Sequence, residues 1–578
     1  MPSSPQFHYQ VACPCPAAHF FVVTLTVTAW QADKLDLKMP VWTPGSYLVR
    51  EYSRHLQQLV AQGEKHQSLA VQKLSKNHWQ VDTELTTTIT VSYRVYADEL
   101  SVRTNHLDAS HGYFNGAALF LAIAGYEKQP LSLEIIPPHP HWLITTALTP
   151  TTESSWVYSV PDFDTLVDSP VEMGEQSQYQ WQVLGKAHQL TVWGTGNLNP
   201  QQLLADLTKI IATEAQIFGG LPYDKYTFIL HLSSQGFGGL EHKNCCSLNY
   251  NRFGFRETEK YQRFLQLVAH EFFHLWNVKR LRPIALENFD YYQENYTPSL
   301  WFAEGTTSYY DLIIPLRAKI YDSSAFLGHL SKEISRYLLT PGRHIQPLAE
   351  SSFDAWTKLY RREAHSDNCQ ISYYLKGELL TLMLDLLIRD HHNNQRSFDD
   401  VLSLLWQKFG QSERGFTEQE LEETIATVAQ KDLTDFWERY LYGLVELPLA
   451  EYLEPFGLTL KPIFAEEPTP YLGLKVQTEQ GQTKVKFVAA HSPSEKIGFS
   501  VEDELVALNG LRVTAEQLNS RLQDFRPQDW LEVTFFHQDI LKTASVQLGE
   551  SQPLRYEVIP LSAPSPRQVE QFKGWLEG

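Results

Sequence analysis

Residues 264 to 283 read FLQLVAHEFFHLWNVKRLRP, an apolar helical run holding His270, Glu271 and His274 among Leu, Val, Phe and Trp. Ionisable groups in such a segment are costly unless something pairs with them, so this stretch restricts what the rest of the chain must build around it. Four residues advance a helix by about one turn, so the two imidazoles face the same way. Two neutral imidazoles at that spacing suit one Zn2+. Glu271, one residue after the first ligand, reaches a water beside the metal instead of the metal, the place of a general base. The apolar neighbours hold the helix rigid and lower the local dielectric. A pair of core histidines would look the same on this motif alone, and a third ligand separates the two readings.

The stretch LWFAEGTTSYYDL (300–312) is a second helical segment, with Glu304 set between Trp301-Phe302 and Gly305. A carboxylate among apolar neighbours needs a partner, and two His, one Glu and a water form a known catalytic zinc set. Glu287 and Glu294 compete for the role, but they lie in the loop-like LENFDYYQEN, a poorer support for a rigid site. Asp311 follows Glu304 by seven residues on the same face and suits a position from which to orient a ligand.

The surrounding chain divides by pattern. TLTVTAW (24–30) and TITVSYRVY (88–96) alternate apolar and polar residues, which marks half-buried strands. WTPGSYL (42–48) carries a Pro-Gly turn. Near residue 199 the period changes. Asn199 and Pro200 start a helix, Leu203, Leu204, Leu207, Ile210 and Ile211 continue it, and Gly219-Gly220 end it. Residues 260 to about 445 are mostly helical in period. After the linker AEEPTP (465–470), short strands return in LGLKVQ, KVKFVAA, ELVALNG and LEVTFF, with a helix at 515–525. The tail beyond Pro560, with APSPRQ, reads as a weakly ordered extension.

The net charge of −19 and pI near 5.6 argue against nucleic-acid binding, which needs a basic footprint. No run of about 20 apolar residues exists, so no membrane span is expected. LLTLMLDLLI, broken by Asp385, reads as a buried helix. The N-terminal stretch lacks the basic-then-apolar pattern of a secretory signal. Five cysteines are too few for a disulfide scaffold, and bonding the neighbours Cys245 and Cys246 would be strained. A cytoplasmic protein is the expectation.

Two further stretches complete a set. GFGGLEHKN (236–244) follows the strand-like YTFILHL (226–232), and ISYYLKGELL (371–380) starts another helix. With these the chain resembles the glycyl aminopeptidase family, PDZ-containing zinc metallopeptidases of the glutamate-zincin, thermolysin-like group. MPVWTPGSYLVREYSRHL (39–56) resembles that family's N-terminal signature, and HEFFHLWNVKRLRP and WFAEG resemble its zinc-binding signatures. The resemblance covers nearly the whole chain and implies His270, His274 and Glu304 as ligands of one catalytic Zn2+ and Glu271 as catalytic base. GGLEH (238–242) stands where the wider group has G-x-M-E-N, which implies Glu241 as anchor for a substrate's free α-amine, with Gly238 and Gly239 letting the substrate backbone approach. YLKG (374–377) matches Tyr-x-Lys-Gly and implies Tyr374 as donor to the transition state, with Tyr373 as the alternative. His242 departs from the wider group's Asn, and the His274-to-Glu304 connection is longer than in that group but is shared by the glycyl family.

YLGLKV (471–476) and SPSEKIGFSVEDELVALNG (492–510) look like a PDZ domain, whose loop Tyr471-Leu472-Gly473-Leu474 would offer backbone N–H groups to a peptide's C-terminal carboxylate. The alternative is a module that packs on the peptidase and binds nothing. The expected architecture is multidomain α+β: residues 1–185 a β-rich N-terminal domain, 186–460 a mainly helical thermolysin-like metallopeptidase domain, 461–555 a PDZ domain and 556–578 a tail. The expected activity is zinc-dependent removal of N-terminal residues, with Gly or Ala implied by the family, from peptides with a free N-terminus. Its rivals are a zinc endopeptidase or oligopeptidase with Glu241 idle, and a PDZ scaffold with a vestigial zinc site. The basic residues of NVKRLRP (277–283) read as a solvated face.

Overall fold

The computed structural model describes residues 4–152, 154, 156–467 and 469–577. Met1–Ser3, Glu153, Ser155, Pro468 and Gly578 lie outside the described residues, and with them the extreme ends of the 1–185 and 556–578 ranges and one position of the 465–470 linker. The chain is multidomain α+β, with a β-rich N-terminal domain and a helical domain. Its contacts define two compact units: Met1–Thr297 with Leu402–Thr417, and Pro298–Val401 with Glu418–Gly578.

In the first unit, alternation builds the sheets as expected. Phe20–Thr28 buries Phe21, Val23, Leu25 and Val27 completely and turns its threonines outward. It pairs antiparallel with Gln6–Ala12 on one side and Ile89–Tyr96 on the other, in an eight-stranded sheet. The helix Pro200–Phe218 starts and stops where its sequence says. The Asn199 side chain accepts from the Gln202 amide at 3.2 Å, a cap worth about 1 kcal/mol, and Gly219 closes the helix in the left-handed conformation.

A five-stranded sheet follows, in the order Ser177–Val183, Lys186–Trp193, Lys225–Ser233, Cys245–Asn251, Phe237–Glu241. Its central strand Lys225–Ser233 is buried on both faces and runs parallel to both neighbours. The edge strand Phe237–Glu241 runs antiparallel to Cys245–Asn251, pairing Glu241 with Cys246. The Gly-rich stretch GFGGLEHKN therefore opens as a strand, because the sheet edge supplies the ladder partners that its glycines by themselves would not predict.

The second unit carries a π-helix, Trp301–Thr306, running directly into the α-helix Thr307–Arg317, and the long buried helix Tyr373–His391, capped by Ser372. Its C-terminal part holds a sheet of Leu474–Glu479, Gln482–Val488, Glu504–Leu508, Trp530–His537 and Ile540–Gln547, with the helix Leu518–Leu522. The weakly ordered tail is a correction. Residues Pro566–Leu576 form a helix, opened by a capping box in which Ser565 and Gln568 bond each other's backbone. Trp575 is buried against Phe326 and Phe456, and its Nε1 donates to Tyr309 Oη at 3.2 Å. Among the described residues no helix is long and apolar enough to cross a membrane.

Candidate functional site

In the first unit the helix Thr258–Phe273 buries Leu265, Val268, Ala269 and Phe272, which fixes the face carrying His270 and Glu271. His274 caps its C-terminal end. The two imidazoles stand 4.6 Å apart between ring centroids, at 85° to each other. His274 Nδ1 lies 2.7 Å from the Asn277 carbonyl, which only accepts, so Nδ1 donates and, in the neutral ring, Nε2 is the basic nitrogen.

The edge strand brings Glu241 to the same place. Glu241, Glu271 and His274 each offer one ligand atom, and these atoms lie within 4.8 Å of one another. Both carboxylates are buried, 4% and 5% exposed, and two anions this close repel unless cations neutralise them. Glu241 Oε1 takes no hydrogen bond among the described residues, so it is an acceptor awaiting a donor. Glycines make the closeness possible. Any side chain at Gly239 would collide with the Glu271 carboxylate. Any side chain at Gly45 would collide with that of Glu241, and Gly45 also sits at φ +85° in the Thr43–Ser46 turn. Arg103 Nη2 donates to the Gly239 carbonyl at 3.2 Å.

Beside Glu241, His242 Nδ1 approaches Asp168 Oδ1 at 3.1 Å, the Lys243 amide donates to Asp168 Oδ2 at 2.8 Å, and Lys279 Nζ donates to Asp168 Oδ1 at 2.7 Å. Burial by itself would raise the Asp168 carboxyl, but Lys279 and His242 outweigh it and hold it below the usual range. The solvated face expected at NVKRLRP is thus corrected. Lys279 and Arg280 are buried, and Arg280 bonds the Lys243 and Leu275 carbonyls and Asn244 Oδ1. A basic residue in a run of apolar neighbours looks solvated until an acid from a distant strand reaches it. Glu287, the rival ligand, accepts from the Gly415 amide at 2.7 Å.

In the second unit Glu304 lies buried in the π-helix, a conformation that accumulates at functional sites. The π-helix meets the helix Tyr373–His391 backbone to backbone. A Cβ at Gly305 would lie 2.5 Å from Gly377 Cα, and one at Gly377 would lie 2.7 Å from the Trp301 carbonyl. That crossing fixes the turn bearing Glu304 against the turn bearing Tyr374. Tyr374 is half-buried with its hydroxyl 2.8 Å from Tyr360 Oη, whereas Tyr373 is fully buried, the two rings stacked at 4.7 Å.

Residues 8–175 match the family model of the M61 peptidase N-terminal domain, and residues 263–380 match that of M61 glycyl aminopeptidase. The crystal structure of an aminopeptidase N family protein from Idiomarina loihiensis superposes with TM-score 0.92 at 31% identity, covering 99% of this chain and 100% of that one. The chain belongs to the M61 glycyl aminopeptidase family. It is a metallopeptidase. An M1 zinc metallopeptidase from Deinococcus radiodurans covers 77% of this chain and 95% of its own at 13% identity, with TM-score 0.49. No curated protein matches the chain.

For this M61 member the first unit gathers His270, Glu271, His274, Glu241, Gly238 and Gly239, and the second places Glu304 and Tyr374 on facing turns. Sequence reading missed Gly45 and Arg103 as supports of Glu241. The Pro-Gly turn was visible, but nothing local says what lies against it.

The Tyr-x-Lys-Gly motif also contains Lys376, fully buried, with no hydrogen-bond partner for Nζ among the described residues. Burial lowers its amine from 10.5 to about 8. An unfolded lysine keeps its proton to about pH 10.4, so from about pH 8 to that value the unfolded chain binds more protons, and stability rises with pH. Urea midpoints should climb across this window in the wild type and climb less in Lys376→Met, which should also be the more stable protein at pH 7. An equally steep profile in the variant assigns the rise to other groups.

Proposed function

We propose that this metallopeptidase is a zinc-dependent aminopeptidase acting on peptides with a free α-amine. The observation that carries the reading is the Glu241–Glu271–His274 cluster. In a peptide the α-amine nitrogen and the first carbonyl carbon are two bonds apart, about 2.5 Å. An anchor for the amine must therefore sit within a few ångströms of the group that activates water. Glu241 meets that requirement against Glu271, and its unsatisfied Oε1 accepts the ammonium in a charge-assisted hydrogen bond.

His270, His274 and Glu304 are the proposed ligands of one Zn2+. The fixed His274 tautomer and the donor set of two imidazoles and a carboxylate suit that metal. Zinc, when bound, polarises the scissile carbonyl and acidifies water. Glu271 takes the proton of the attacking water and returns it to the leaving amine. Tyr374 donates to the developing oxyanion. Glu241 holds the ammonium, so cleavage falls after the first residue and the bond is oriented for attack. Gly238 and Gly239 keep that edge open to substrate backbone, and the family implies Gly or Ala as the residue released.

The thermolysin-like assignment of the peptidase domain and the PDZ assignment of the C-terminal sheet belong to the same reading. A cavity of about 390 Å3 beside Leu472, Gly473 and Leu474, bordered by Leu518 and Leu522, supports a peptide's C-terminus docking at the Tyr471–Leu474 loop. The five free thiols suit a cytoplasmic enzyme. The test compares free tripeptides with their N-acetylated forms. Free peptides should be cut from the N-terminus and blocked ones should resist, while Glu241→Gln should lower kcat/KM for free peptides by about 10-fold to 100-fold, as loss of a charge-assisted bond worth roughly 1.5–3 kcal/mol requires. Internal cleavage of blocked peptides as fast as free ones makes the protein an endopeptidase and overturns the proposal.

A further inference from the structure

We propose that His106, Asp108 and His111 form a second divalent-metal site, apart from the His270–His274 motif, for Zn2+ or a similar borderline cation. The three residues lie on a hairpin whose strands His106–Leu107 and His111–Phe114 pair Leu107 with Gly112. Each offers one ligand atom, and these lie within 4.8 Å of one another.

The hydrogen bonds around the cluster turn Asp108 Oδ2 and His106 Nε2 towards each other and leave His111 Nε2 without a partner among the described residues. Asp108 Oδ1 accepts from the Ser110 amide and hydroxyl, both at 2.7 Å, and from the His111 amide at 3.0 Å. Its other oxygen, Oδ2, faces His106 Nε2 at 3.3 Å. His106 Nδ1 lies 3.3 Å from the Asp98 carbonyl, and both of its ring nitrogens thus face acceptors, so a neutral ring donates to one of them and turns a lone pair towards the other. With the proton on Nδ1, Nε2 and the Asp108 carboxylate oxygen present two lone pairs to one point, and a cation there would be held by both.

His111 supplies the independent observation. It is completely buried, and its Nδ1 donates to Glu172 Oε1 at 3.1 Å. Its Nε2 therefore carries a lone pair, and this atom has no hydrogen-bond partner among the described residues. An acceptor orphaned at such depth is destabilising, and a metal satisfies it. The outer layer is that of a ligating imidazole. Glu172 orients His111 and bonds His231 Nε2 through its second oxygen at 2.9 Å, while Trp193 stacks on the His111 ring at 3.5 Å. Two imidazole nitrogens and one carboxylate oxygen match zinc and its borderline neighbours better than calcium or magnesium. The His106 and Asp108 side chains, 13% and 35% exposed, give the ion an entry and leave a position for water. A metal here would fasten the hairpin, through His111 and Glu172, to the strand Lys225–Ser233 that carries His231.

The test counts metal in the full chain. Apoprotein made with a chelator is reloaded with Zn2+, freed of excess by gel filtration and analysed by mass spectrometry for zinc per chain. Wild type should hold two ions, and His106→Gln and Asp108→Asn one each with peptidase activity retained. Glu304→Gln should also hold one, and its combination with His106→Gln none. Zinc should also raise the Tm of Glu304→Gln and fail to raise that of the double variant. One ion in wild type, kept by His106→Gln and Asp108→Asn, overturns the second site and leaves the catalytic one standing. Loss from His106→Gln with none from Glu304→Gln supports this site and removes Glu304 from the proposed catalytic set.

Discussion

Glu271→Gln should retain zinc and lose about 10²–10⁴-fold of turnover, the range general-base catalysis contributes. Gln keeps the shape of Glu, and the pocket holding residue 271 is tight: the residue is 5% exposed, with Gly239 pressed against its carboxylate. The substitution therefore removes the ability to take a proton without opening a cavity. It also lifts the repulsion between the two buried carboxylates, so the variant should fold at least as stably as the wild type. The check is kcat on a free tripeptide with zinc measured in the same sample. Near-normal turnover at full zinc content places the base elsewhere.

Tyr374→Phe should lower kcat by about 100-fold to 1000-fold and leave KM nearly unchanged, because a hydrogen bond to the oxyanion strengthens only as charge develops, a loss of roughly 3–4 kcal/mol. Tyr374 is the half-buried member of the pair, with its hydroxyl 2.8 Å from Tyr360 Oη. Tyr373 is completely buried, so Tyr373→Phe should act on stability and leave kcat within a few-fold. Steady-state kinetics of both variants decide between them. A change confined to KM in Tyr374→Phe, or a kcat loss in Tyr373→Phe of the size expected for Tyr374, reverses the assignment.

Some of this architecture is written in short windows of sequence. The alternation in Phe20–Thr28 and Ile89–Tyr96 and the Asn199-Pro200 start of Pro200–Phe218 were legible because each depends on neighbours a few residues away. The C-terminal helix was legible too and was misread. Ser565-Pro566 followed by Gln568 is a capping box, but two prolines nearby suggested an extension, and the burial of Trp575 that secures the helix comes from distant residues. The π-helical turn at Glu304 had no local signal. It goes with the close approach of Gly305 and Gly377, which no window around either residue contains.

The same division runs through the candidate site. By itself the sequence determined the chemistry on offer: two imidazoles one turn apart with a carboxylate beside them, because helix geometry converts spacing into direction. Only the tertiary structure decided that Glu241 stands within reach of Glu271, that Gly45 and Arg103 hold that edge, and that Lys279 is paired and not solvated. Those contacts join residues far apart in the chain. They depend on sheet register and on close packing at glycines, where one added methyl group would push the partners apart.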